Sequence, residues 1–243
     1  MAKVIGAAEL KPLLEAGSVK VYEIDSPKAT NESYTKCHIK GASWVDIAII
    51  TDPTSKVAPV DRPTDPAVFG KLLGELGLSD TSETIVLYAR EPKDGSGHAG
   101  TRVMWVTRAW WTLWSWGFTN VMLLDGCFEA AWRSSGNPVS EGDEKYPPKT
   151  FNVESLVDHG KATRVSTDEM VKVAESGDTQ ILDSLPGWPH TAGRWDIKGH
   201  IKGAANVNFI EITDPATGAF MEKEPFKAYV EKSFDLSKPI VAY

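Results

Sequence analysis

The pentapeptide "HIKGA" stands twice in this chain, at His38–Ala42 and at His200–Ala204. Each copy follows a run that ends in aspartate, "VYEID" at Val21–Asp25 and "QILD" at Gln180–Asp183. Each copy also precedes an unbroken apolar run, "TIVLYA" at Thr84–Ala89 and "KPIVAY" at Lys238–Tyr243. Three features in one order, twice, carry far more information than any one of them. They predict two copies of one structural unit, with Tyr88 matched to Tyr243 and Asp25 to Asp183. The first copy continues from Tyr88 to "LDGCFEAAW" at Leu124–Trp132, whereas Tyr243 is the last residue of the sequence. The second unit is therefore expected to stop at the end of a buried central strand, before the loop that would follow it.

Between these anchors the patterns alternate in type. Val4–Ala16 has Leu10, Leu13 and Leu14 at helical spacing and leads into the strand pattern of Val19–Ile24. Ser26–Lys36 is polar and reads as a loop, as does the proline-rich stretch 52–66. Ala67–Leu76 predicts a helix closed by Gly77. "TIVLY" has no polar alternation, which suits a parallel strand covered on both faces. The glycine-rich stretch 90–100 leads to a tryptophan-laden helix over Thr101–Trp116, and "NVMLLDG" closes the unit as a strand. Strand, helix, strand, helix, strand predicts the α/β class. The fold expected is two similar domains, each a mainly parallel sheet flanked by helices, the second incomplete. Their bounds are 1–135 and 162–243, joined by a linker over 136–161 that holds Gly136, Pro138, Gly142, Pro147 and Pro148. Ser166 or Thr167, with Glu169 nearby, caps the first helix of the second unit.

Composition narrows the function. With 42% hydrophobic residues and nine tryptophans the 243-residue chain can build a sizeable core. Net charge is −7 and no basic cluster stands out, so nucleic acid is not an expected partner. No apolar run approaches the roughly 18 residues of a membrane span, and the start has neither a secretory nor an arginine-rich transit pattern. A cytoplasmic protein is expected, with mitochondrial residence a second possibility. The two cysteines, Cys37 and Cys127, are too few for a disulfide framework. No set of residues has zinc-ligand spacing, and paired carboxylates for hydrolysis and a phosphate-binding glycine loop are both absent. His38 and His200 each sit beside a glycine turn in a copied motif, which favours structural roles. Cys37 and Cys127 read as buried or incidental thiols.

With these residues in place the chain resembles the tandem rhodanese family, the thiosulfate and 3-mercaptopyruvate sulfurtransferases. "HIKGA" resembles that family's "HIPGA". "RAWWTLWSWGFTNVMLLDGCFEAAW" at Arg108–Trp132 is similar to its "RVWW…FG…V…LDGGF…W" signature, and "AGRW" at Ala192–Trp195 to the "GRF" element before the second "HIPGA". The resemblance implies a silent first domain and a second domain that seats a cysteine directly after its apolar strand. That position here follows Tyr243, so catalytic residues are expected to be absent from the 243 residues and turnover by them is not expected.

It also implies the chemistry. A thiolate takes sulfur from a small anionic donor, thiosulfate or 3-mercaptopyruvate, holds it as a persulfide, and passes it to a thiol or cyanide. No metal or cofactor is required. Backbone N–H groups curled around one sulfur would stabilise the thiolate. By the resemblance Arg194 binds the donor's anionic end, and Met104 and Trp105 reach the cleft, Trp105 as a substrate wall. Asp183 and Tyr243 lie beside the site as structural residues. Two departures stand out: Asp183 is followed by Ser184 and Leu185 where the family has an arginine, and only "DIKG" separates "AGRW" from the second "HIKGA". Two further readings share the fold: a catalytically silent module that binds an anion or a partner, and a phosphatase with a longer cysteine loop.

Overall fold

Strand patterns rich in apolar residues place five of the first unit's strands side by side. In this computed structural model, which describes residues 3–51, 62–92, 97–187 and 199–243, a parallel sheet is built from β1 (Lys3–Ile5), β2 (Lys20–Asp25), β4 (Ser43–Asp46), β5 (Ile85–Tyr88) and β6 (Val121–Leu124). Their order across the sheet is β1-β6-β5-β2-β4. Strands β5 and β6 are buried at every position, because helices cover both faces. One face packs α1 (Ala7–Glu15) and the short α5 (Phe128–Ala131) around Leu10, Val86, Tyr88, Phe128 and Trp132. The other packs α3 (Pro66–Glu75) and the tryptophan-rich α4 (Gly100–Ser115) around Phe69, Leu73, Val106 and Leu113.

Local chemistry sets the helix ends. The Asp65 carboxylate accepts from Ala67 N at 2.8 Å with Pro66 in the first turn, and the chain leaves α3 through Gly77 at φ 81°. Two expectations shift here. Lys3–Ile5 is a strand paired with β6, and the helix starts only after Gly6. The polar stretch after Ser26 contains the one-turn helix α2 (Glu32–Lys36).

Residues after Trp132 are tied to the first unit. A small antiparallel ladder joins β3 (His38–Ile39) to β7 (Val139–Ser140). Val21 N donates to the Tyr146 hydroxyl at 2.9 Å, Lys149 N to Gly74 O at 2.9 Å, and Phe151 lies in the first unit's core. The Arg62 guanidinium stacks on Trp116 and pairs with Asp158 at 2.5 Å.

After the one-turn α6 (Gly160–Thr163), α7 (Thr167–Ser176) carries the capping box of Ser166 and Glu169 and closes at Gly177 with φ 69°. It leads to a parallel sheet of β8 (Gln180–Asp183), β9 (Ala204–Asn206) and β10 (Ile240–Ala242) in the order β10-β8-β9, with α8 (Lys223–Val230) packed through Val230 against Val207 and Phe234. The pairing order matches β5-β2-β4 of the first sheet.

The registers correct one residue equivalence. Glu23 faces both Tyr88 and Trp44, while Asp183 faces Asn206 and stands one step beyond Leu182, the partner of Ala242. Since "HIKGA" sets Trp44 against Asn206, Asp183 is the counterpart of Glu23. It is not the counterpart of Asp25, because β8 starts two residues later relative to its acid than β2 does. A second difference concerns burial. The run "PIVAY" reads as a covered strand, yet β10 is largely exposed, since among the described residues only β8 pairs with it.

Candidate active site

The end of β10 is held from three sides. Tyr243 N donates to Leu182 O at 3.0 Å, and Ser184 donates to Tyr243 O through its N at 3.3 Å and its Oγ at 3.1 Å. The Tyr243 hydroxyl accepts from Ile201 N at 3.1 Å, within the second "HIKGA". Asp183 is buried, and its Oδ1 accepts from Leu185 N at 2.9 Å. Burial, with the Asp183 carboxylate adding to it, raises the Tyr243 phenol above its ordinary value against the opposing Ile201 N–H. Asn206 Nδ2 ties the turn after β8 to this cluster by donating to Asp183 O at 3.0 Å and Leu185 O at 2.7 Å.

The first unit has the same arrangement with different contents. The Tyr88 hydroxyl accepts from Ile39 N at 3.4 Å, within the first "HIKGA", and donates to Glu23 Oε2 at 2.7 Å. Glu23 is buried and also takes both Nε and Nη2 of Arg90 at 2.8 Å, while that guanidinium stacks on Phe128. The residue after Tyr88 is Ala89, whose carbonyl accepts from Phe128 N at 2.8 Å. Glu91 accepts from Glu129 N and Ala130 N, both at 2.9 Å. The N–H groups of Phe128, Glu129 and Ala130 are thus satisfied by protein oxygens, and the residue after Tyr88 carries no thiol.

A loop of the second unit closes what remains of this mouth. Ala99 N donates to Pro215 O at 3.0 Å, Cys127 N to Thr217 O at 2.7 Å, and Phe220 N to Asp125 Oδ1 at 2.9 Å. Gly218, at φ 71°, lies so close that a Cβ there would stand 2.8 Å from Cys127 Sγ. Cys127 is fully buried, and burial first, then the nearby Glu91, pushes its thiol up to about 12. Cys37 is half-buried at the end of α2. Neither thiol follows β5 or β10.

On the other side of β10 a cavity of about 860 Å³ lies between the units. Helix α4 contributes Arg108 and Trp111, with the guanidinium 5.3 Å from the indole centroid, and Arg62, Arg164 and Ile240–Tyr243 line it too. No carboxylate belongs to its described lining. Trp105 packs partly buried against the first unit's core. Arg194 lies outside the described residues, as does the "AGRW" element. Residues Arg62 and Arg108 were not singled out from the sequence. The signals for Arg108 are its place at the head of the "RAWW" stretch and three residues before Trp111 on a helical face, whereas Arg62 lies within the proline-rich stretch 52–66, which has no periodicity. His38 is fully buried, stacked on Tyr34 with Nδ1 2.9 Å from Tyr34 O, a structural placement. No group of His, Cys, Asp and Glu that could hold a metal ion occurs among the described residues.

A parallel sheet, its partial copy, and a strand that ends at a hydrogen-bonded tyrosine–acid corner in each define a duplicated α/β protein. The chain belongs to the tandem rhodanese family: the family's Rhodanese-like domain profile matches residues 6–134. It is 26% identical over 251 aligned positions to a thiosulfate sulfurtransferase of Rattus norvegicus, an alignment that spans 100% of this chain and 78% of the relative. It is 30% identical over 219 positions to a 3-mercaptopyruvate sulfurtransferase of the same species, covering 84% of this chain and 65% of that one. Among solved structures it resembles SseA from Escherichia coli, one of the 3-mercaptopyruvate sulfotransferases with the rhodanese fold. The TM-score is 0.80 at 23% identity, covering 100% of this chain and 88% of that one. Both of these relatives are sulfurtransferases.

Among the described residues no helix is long and apolar enough to cross a membrane.

Proposed function

We propose that this chain carries the donor-binding cleft and the strand-end platform of a sulfurtransferase, and that the sulfur carrier is a cysteine seated directly after Tyr243. Residues 1–135 are the silent copy, 136–161 connect, and 162–243 hold the platform. The thiolate attacks the outer sulfur of thiosulfate or the one sulfur of 3-mercaptopyruvate. A cysteine S–S bond forms as the donor's S–S or C–S bond to that sulfur breaks, releasing sulfite or the enolate of pyruvate, which takes up the donor thiol's proton to become pyruvate. A thiol or cyanide then takes the outer sulfur and regenerates the thiolate.

The observation that carries this reading is the fixed end of β10. With the Tyr243 carbonyl held by Ser184 and its hydroxyl by Ile201 N, the next residue starts from a defined position above the sheet. Asp183 and Tyr243 serve as positioning residues there. An arginine-lined cleft without a lining carboxylate attracts small anions, in contrast to the net charge of −7 of the whole chain. Arg194 is assigned the anionic end of the donor, and Trp105 a supporting wall.

Thiocyanate formation from thiosulfate and cyanide tests the proposal. The 243-residue chain should give no turnover above background with either donor. A chain extended after Tyr243 by a cysteine-containing loop should turn over, and serine at that cysteine should abolish the activity. Cys37→Ser and Cys127→Ser should leave the extended chain nearly intact. Activity of the 243 residues that vanishes with Cys127→Ser, or inactivity of the extended chain towards both donors, would overturn the assignment.

A further inference from the structure

Ser184 is held through both of its backbone hydrogen-bonding groups. Its N–H and its hydroxyl donate to the Tyr243 carbonyl at 3.3 and 3.1 Å, and its own carbonyl accepts from Phe209 N at 3.0 Å. The peptides on either side are fixed as well. Asp183 O accepts from Val207 N at 2.9 Å, and Leu185 N donates to Asp183 Oδ1 at 2.9 Å. One side chain spans this turn: Asn206 Nδ2 donates to Asp183 O at 3.0 Å and to Leu185 O at 2.7 Å, one carbonyl before Ser184 and one after it. Both bonds lie on the β9 side of β8, opposite to β10.

The silent unit lacks this brace. With Glu23 the counterpart of Asp183, Ile24 stands in the place of Ser184 and Trp44 in the place of Asn206. Ile24 has no hydroxyl to add to a strand-end carbonyl, and Trp44 Nε1 is buried without a hydrogen-bond partner. Carboxylates pin the turn after β2 instead. Asp25 Oδ1 accepts from Ser26 N at 2.7 Å and from Arg102 Nη2 at 2.6 Å, and Asp46 Oδ2 accepts from Lys28 N at 2.9 Å. A carboxamide that donates twice into the turn thus belongs to the unit whose strand end is assigned the cysteine, and not to the other.

The direction in which the chain leaves Tyr243 is set by its carbonyl, because the planar trans peptide fixes the next N–H opposite to it. Whatever orients that carbonyl therefore orients the first residue of the loop that follows. A displacement of about 1 Å at a reacting atom can cost on the order of a hundredfold in rate.

We propose that Asn206 is a positioning residue for sulfur transfer. By bracing the turn on both sides of Ser184 it fixes the Tyr243 carbonyl, and through it the cysteine that follows. The inference rests on the reading that this cysteine is the sulfur carrier. Asn206 acts through Ser184 and takes no part in bond making.

The test uses the chain extended past Tyr243, on a Cys37→Ser, Cys127→Ser background so that neither of those thiols contributes. Single-turnover loading by excess thiosulfate gives a rate constant that is independent of how much protein is folded, whereas the amplitude follows the folded fraction. Asn206→Ala should lower the rate constant roughly 10- to 100-fold while the half-saturating thiosulfate concentration changes less than about threefold. It should also move the pH profile of cysteine alkylation upward. Asn206→Asp, which sets an oxygen against both carbonyls, should do at least as much. Ser184→Ala should slow loading severalfold in the parent and less than about twofold on the Asn206→Ala background, because both residues act through one carbonyl. A loss of amplitude at an unchanged rate constant, or a Ser184→Ala effect of equal size in both backgrounds, would overturn the proposal and leave the sulfurtransferase reading standing. An extended parent chain that loads no sulfur from either donor would overturn that reading, and this inference with it.

Discussion

Replacing Cys37 with serine leaves Cys127 as the only thiol of the chain, and its alkylation then reports how the first unit's mouth is closed. Cys127 is fully buried, its Sγ is 3.9 Å from Ala99 O, and Gly218 covers it from the second unit. Its thiol is pushed from the ordinary 9.0 up to about 12. At pH 8 a thiol with the ordinary value is roughly one-tenth thiolate, and one at about 12 roughly one part in ten thousand, about a 900-fold loss. The more basic thiolate is intrinsically more nucleophilic, which with a Brønsted slope near 0.4–0.5 returns roughly 16- to 32-fold. About 30- to 60-fold slower alkylation remains before any steric block, which multiplies it. Iodoacetamide labelling followed by intact mass, native against unfolded in guanidinium chloride, measures the ratio. The native rate should also climb with pH without a plateau near 9. Native labelling within threefold of the unfolded rate would refute the reasoning, because burial and closure would then have no effect on this thiol.

Other expectations follow from the same geometry. Glu23→Gln strands the Arg90 guanidinium in a site where its side chain is 12% exposed, so stability should drop by about 3–5 kcal/mol in denaturant titration, and Arg90→Met added to it should recover part of the loss. Gly218→Val forces a branched residue to φ 71° against Cys127 and Val103, and should cost on the order of 1–3 kcal/mol and speed Cys127 labelling. Burial acts to raise the Asp158 pKa, but the Arg62 guanidinium together with the Lys161 and Gly160 N–H groups brings it below the ordinary value. A lowered acid gives stability that is full above its unfolded value near 3.8 and is lost as pH falls through the folded value. The stability difference between Arg62→Met and the parent chain should therefore be widest above about pH 4 and narrow as pH falls below it, with a remainder from the lost Trp116 stacking.

Much of the sheet was legible because its strands are buried on both faces and interrupt helical patterns of ordinary length. The pairing of the two "HIKGA" segments reappears as the same hydrogen bond, from the isoleucine N–H to a strand-end tyrosine hydroxyl, in both units. The match of Asp183 to Asp25 failed for a physical reason. A strand has a side-chain period of two, so sliding one run by two residues keeps every apolar residue on its face and leaves no trace in the pattern. Only the pairing with Ala242 and Asn206 settles it. Strand β1 is three residues long, too short for any period, and it was absorbed into the helix that follows. The cleft arginines come from positions 62, 108 and 164, which no local signal connects. Their meeting depends on how the second unit packs along α4.

The closing of the first unit leads to a last expectation, that a cysteine at the silent strand end would not become a sulfur carrier. Ala89 is 2% exposed and aligns with the position after Tyr243. A thiolate there needs nearby N–H donors and a route for an anionic donor molecule. Three amides of α5 are taken: Phe128 N by the Ala89 carbonyl, and Glu129 N and Ala130 N by the Glu91 carboxylate. The nearest cation, Arg90, is turned inward onto Glu23, and Pro215–Phe220 covers the mouth. Burial and neighbouring carboxylates both disfavour a thiolate, so Ala89→Cys should raise the new thiol's pKa, as at Cys127, and leave it without cyanide-labile sulfur after exposure to thiosulfate. A pH profile of iodoacetamide labelling in Ala89→Cys on a Cys37→Ser, Cys127→Ser background measures it. A labelling plateau below pH 7, or a stoichiometric sulfur load, would mean that the Tyr–acid corner alone suffices to make a reactive thiolate, and that the first unit is silent only for want of the cysteine.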